Sequence, residues 1–200
     1  MASKNTSSQV AIGMRVKTGR ATAIVVAGPP SSPIVVARKN LQLFDPAIPE
    51  SHQPYHAELE LPPEESARAV PRALAAVRQC SIAALRDLLD EVRAAGHSVV
   101  AIALVAGSGA DPESIRNPHM RAHAREGQLF PRALADASTA LGIRAAIVVE
   151  ATTFADCAAA LKKSEDSLKR QLAELGRAVG KPWSSEEKSA TAAALTALAR

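Results

Sequence analysis

The sequence predicts an α/β fold on a mixed five-stranded sheet, three antiparallel strands followed by two parallel ones, with helices on both faces. Residues 9–44 alternate apolar and polar side chains and are interrupted by a glycine turn and by a glycine- and proline-rich turn. Two later apolar runs, 98–106 and 143–149, each follow a helically spaced segment, the order expected of parallel strands joined by crossover helices.

The first strand carries Ile12, Met14 and Val16 on one side and Gly13, Arg15 and Lys17 on the other. Residues 17–20 form a hairpin turn in which Gly19 is free to take positive φ. Residues 22–27 are apolar at nearly every position, as in a strand buried on both faces. Pro29, Pro30 and Pro33 end it, and 34–43 return as a third strand. Residues 45–63 contain five prolines, His52 and His56, and read as an irregular connection.

Glu64 and Glu65 suit the first turn of a helix that Pro71 restarts or kinks and Gly96 closes. After the first parallel strand, residues 107–112 make a loop. Asn117 and Pro118 then cap a helix with Phe130, Leu134, Ala137 and Leu141 on one face, ending at Gly142. Pro131 predicts a bend or break in it near 127–131. Past the fifth strand, Phe154, Cys157, Leu161, Leu168, Leu172, Leu175 and Val179 form one apolar stripe, predicting a single helix over 153–179. At about 1.5 Å per residue it would run roughly 40 Å, project beyond the sheet and offer a surface for pairing with a second copy. Ser184 and Glu187 form a capping box for a last alanine-rich helix over 185–199.

A chain of 200 residues with 47% apolar content can bury one sizeable core, so 9–200 reads as one domain preceded by a loose tail at 1–8. No apolar run approaches the about 18 residues that span a bilayer, and a cytoplasmic location is the expectation. Cys80 and Cys157 suggest neither a disulfide framework nor a cysteine metal site. The net charge of +4 is compatible with nucleic-acid or phosphate partners. Three phenylalanines, one tyrosine and one tryptophan supply too few platforms for stacking unpaired bases.

The order strand, strand, strand, helix, strand, helix, strand, helix resembles the ribonuclease H-like fold. Residues 12–18 with 23–25 are similar to the opening hairpin of Holliday-junction resolvases and actin-like sugar kinases. Those families begin with a glycine, an apolar residue, an aspartate and, two residues on, a glycine. Here Arg15 stands in the place of the aspartate and Lys17 in that of the second glycine. The resemblance implies a metal-ligating carboxylate at position 15. An arginine cannot ligate a divalent ion and would repel it, so two-metal chemistry is not expected there.

Arg15, Lys17 and Arg20 are the first candidate site: a phosphate or carboxylate site in one reading, a structural ion pair or a solvated strand face in the other. Gly107, Ser108 and Gly109 read as a phosphate cradle or as plain turn residues. Arg121 and Glu126 join them as candidate ligand contacts, outside the carboxyl ends of the parallel strands where open α/β sheets bind ligands. His119 and His123 stand one helical turn apart, a sound geometry for a divalent metal, although the sequence shows no third ligand. His52 and His56 share that spacing but straddle Pro54. The expectation is a divergent, non-catalytic protein that binds a phosphate-bearing ligand or a protein partner. One alternative is a metal-dependent nuclease with acids relocated to Asp45, Asp111, Glu126, Glu150 or Asp156. Another is a structural module that oligomerises through the long helix.

Overall fold

The computed structural model describes residues 8–199. Of the expected tail, residues 1–7 lie outside the described part, and Ser8 opens the first strand. Strands β1 (Ser8–Lys17), β2 (Arg20–Ala27), β3 (Ile34–Gln42), β4 (His97–Ala106) and β5 (Ala145–Val149) form one sheet in the order β3-β2-β1-β4-β5. β1 to β3 are antiparallel, and β4 and β5 join β1 in parallel. Gly19 takes φ +72° in the first turn, where the sequence requires it.

Helices α1 (Pro54–Glu60), α2 (Pro63–Ala94), α3 (Pro118–Ala140), α4 (Glu150–Ala160), α5 (Glu165–Val179) and α6 (Ser185–Leu198) cover both faces. On one face Ile12, Met14 and Val25 pack against Val77, Leu85 and Leu89 of α2 and Phe130 and Leu134 of α3. On the other, Ile24 and Val26 meet Cys157, Leu168, Leu172 and the alanines of α6. The alternation along β1 thus sends its even positions to α2 and α3 and its odd positions towards α6. Gly13 shows why that side is small. A β-carbon there would stand 1.8 Å from the Ala190 carbonyl oxygen and 2.8 Å from the Ala194 nitrogen, so α6 rests directly on the strand backbone.

The structure corrects three expectations. The single helix over 153–179 is two helices. Lys162 turns to φ 52°, Lys163 N–H donates to the Ala158 carbonyl and Lys162 N–H to that of Ala159. This Schellman closure ends α4, and Ser164 caps α5. The apolar stripe is therefore folded back onto the sheet through Cys157, Leu168 and Leu172 and does not project. Residues 45–63 are not wholly irregular, since they hold a 3-10 turn at Pro49–Ser51 and the helix α1. Neither Pro71 nor Pro131 divides its helix, because fully buried neighbours such as Ala73, Val77, Phe130 and Leu134 hold each segment against the sheet. β5 lies at the edge of the sheet, with Ile147 44% exposed.

Candidate functional site

The carboxyl ends of β1, β4 and β5 lie side by side, with Arg15 paired in register with Val105. Arg15 is only 5% exposed, and a buried guanidinium needs its donors satisfied. Glu150, the first residue of α4, accepts from two of the five N–H groups in a two-pronged pair. Arg15 Nε donates to its Oε1 at 2.9 Å and Nη2 to its Oε2 at 2.5 Å. Arg15 Nη1 donates to the carbonyls of Val16 (2.6 Å) and Val105 (3.2 Å), tying adjacent strands together. Arg15 is thus a cross-link between β1, β4 and α4.

The other two hairpin cations meet a second helix-start acid. Glu186, in the first turn of α6, accepts from Arg20 Nη1 at 2.6 Å, Arg20 Nη2 at 2.8 Å and the Thr22 hydroxyl at 3.0 Å. Lys17 Nζ stands 2.6 Å from the same carboxylate. The hydrogen bonds from Arg20, ahead of those from Lys17 and Thr22, hold the Glu186 carboxyl far below the usual carboxylate range, against the opposing effect of burial. Along this edge three cations face two carboxylates, leaving one net positive charge.

The loop after β4 is a short turn. Gly107 and Gly109 do not occupy the left-handed region, and a β-carbon at either would meet its nearest neighbour at ordinary van der Waals distance. The Ser108 hydroxyl accepts from Ala110 N–H at 3.0 Å, a local turn. Arg121 is likewise occupied, its Nε donating to the Ile115 carbonyl at 2.9 Å. Ser108 and Arg121 thus each have a partner within the chain.

His119 and His123, by contrast, gain a companion that sequence spacing did not supply. Asn117 caps α3 and Pro118 begins it, so His119 and His123 project from one face, their Nε2 atoms 3.1 Å apart. Pro54 begins α1 and places His56 within its first turn, against the same face of α3. The three imidazoles are mutually edge-on, with ring centroids 4.3–4.8 Å apart. One ring nitrogen from each lies within 4.8 Å of the others. Glu126, 0% exposed one turn beyond His123, turns to His56, with Oε1 2.9 Å from His56 Nδ1. The sequence signal was the proline before His56. It separates His52 from His56, yet it also starts the helix that delivers His56.

Among the described residues, no three of Asp45, Asp111, Glu126, Glu150 and Asp156 come together at metal-binding distance. Asp111 accepts from Glu113 N–H at the turn after β4, and Asp156 accepts from the Thr152 hydroxyl. Burial raises the thiols of Cys80 and Cys157, which lowers their thiolate fraction.

No protein-family model and no curated protein sequence matches this chain. Solved structures do. Thermus thermophilus RuvC in complex with Holliday junction substrate superposes with a TM-score of 0.53 at 14% identity, over 94% of this chain and 91% of that one. A second Thermus thermophilus RuvC structure gives 0.51 at 15% identity, over 94% and 92%. The fold is ribonuclease H-like. Strand order, the antiparallel opening meander and the two parallel crossovers all agree with it. Within this ribonuclease H-like fold, the opening-hairpin position expected to hold an acid carries Arg15, sealed by Glu150.

Proposed function

We propose that this chain is a divergent, non-catalytic ribonuclease H-like protein that binds the phosphates of a nucleic acid along the edge where β1, β4 and β5 end. The observation that carries this reading is the Arg15–Glu150 pair. It puts a guanidinium where two-metal chemistry needs a carboxylate, and no trio of acids among the described residues replaces it. A surplus of positive charge at that edge favours a polyanion. Lys17 and Arg20, both half-exposed, are the side chains placed to meet it. The RuvC neighbour seen with a Holliday junction supports a branched DNA as the first ligand to try.

The test is fluorescence anisotropy with duplex, branched and single-stranded DNA across a range of salt. Binding should weaken as salt rises, and Lys17→Ala/Arg20→Ala should lower the slope of log K against log salt by about 1 to 2. A Lys169→Ala control, on the exposed face of α5, should bind as the parent does. No binding to any form, or binding indifferent to Lys17 and Arg20, would overturn the reading.

A further inference from the structure

We infer that His56, His119 and His123 form a binding site for one divalent transition-metal ion of the zinc class, with Glu126 as the carboxylate that orients His56. The site is separate from the Arg15 edge and does not depend on the DNA reading.

Four observations converge. First, two of the three ring nitrogens already stand near coordination spacing, and the set of three lies within 4.8 Å. A zinc–nitrogen bond of about 2.1 Å in tetrahedral geometry puts two ligating nitrogens about 3.4 Å apart, and the Nε2 atoms of His119 and His123 are 3.1 Å apart. Second, the tautomer of His56 is set for ligation. With the Glu126 carboxylate accepting at Nδ1, the proton sits there and Nε2 presents its lone pair. Third, His56 Nε2 is buried without a hydrogen-bond partner among the described residues, inside a ring of imidazoles that offer no better one. Fourth, Glu126 is a wholly buried carboxylate whose Oε2 also lacks a partner. Arg125 beside it in sequence turns away to Glu113 and Glu58. A cation bound through His56 would offset that charge.

The ligand set also selects the ion. Three neutral imidazoles suit zinc, cobalt, nickel or copper and disfavour magnesium and calcium, which take oxygen ligands. His56 is buried while His119 and His123 are exposed, so the cluster has an inner wall and an outer mouth. A tetrahedral ion held there has its fourth position towards solvent, the layout of a site that takes water or an exogenous ligand.

The experiment uses the full chain, stripped with a chelator and titrated separately with Zn²⁺ and Co²⁺. The expected result is saturable binding of one ion per chain, with visible Co²⁺ absorption bands of a tetrahedral nitrogen site and a rise in Tm under Zn²⁺. His119→Ala and His123→Ala, both at exposed positions that leave the core untouched, should each abolish the Co²⁺ bands. Glu126→Gln should weaken Zn²⁺ about 10–100-fold while keeping the bands. His97→Ala, at the opposite end of β4, should change nothing. Failure to saturate, or saturation that survives His119→Ala and His123→Ala, would overturn the proposal. In that case His56 and Glu126 form a buried hydrogen-bonded pair and the outer histidines are surface residues.

Discussion

At the scale of single residues, Arg15 and Glu150 decide what the sheet edge can do. The guanidinium is buried, whereas the Glu150 side chain is 40% exposed, so the pair lies between the surface and interior limits. Removing the acid leaves a buried charge without its partner. Glu150→Ala should therefore lower unfolding free energy by about 1–3 kcal/mol, less than the about 3–5 kcal/mol for a wholly buried pair. Urea denaturation measures it. Arg15→Met with Glu150→Ala should recover most of the loss, because the charge and its missing partner are removed together. That Arg15 needs a counter-charge was legible from one strand of sequence. Which acid supplies it was not, since the two residues are 135 positions apart and only the crossovers bring them together.

At the scale of elements, α6 rests directly on the backbone of β1. Gly13→Ala would place a β-carbon where the Ala190 carbonyl stands, and backbone on both sides leaves it nowhere to move. Its cost should be at the upper end of the about 1–3 kcal/mol typical of overpacking or beyond, read as a lowered urea midpoint. Gly127→Ala, within α3 with open space at its β-carbon, should be neutral or slightly stabilising by comparison. The five strands and their directions could be read in advance because hydrophobic periodicity and Gly/Pro punctuation are local signals. The α4–α5 break could not, because the apolar stripe continues across it and the closure is made by Lys162, a residue with no intrinsic preference for positive φ. His56 was missed for a similar reason: a proline read as a breaker was the first residue of α1.

At the scale of the whole molecule, two helix-start acids, Glu150 and Glu186, fasten the second layer to the carboxyl edge of the sheet. Glu186 titrates well below its ordinary 4.5 in the folded chain, so the unfolded chain binds its proton first as pH falls. The stability it contributes is complete above 4.5 and is lost progressively as pH drops through the depressed folded value. Tm should fall over that acid range. Glu186→Gln should lower Tm at neutral pH and flatten the acid decline, and added salt should narrow the difference because Lys17 and Arg20 are half-exposed.

The same edge defines the central claim, that a ribonuclease H-like fold here binds a phosphate backbone without cutting it. Its most direct test is a single-turnover assay of labelled branched DNA with Mg²⁺ or Mn²⁺, at protein concentrations where anisotropy shows the DNA bound. The account predicts bound, intact DNA for the parent chain and for Glu150→Ala alike, because neither offers a carboxylate pair to hold two ions. Metal-dependent cleavage by the parent chain, lost in a variant of any of its edge acids, would contradict it.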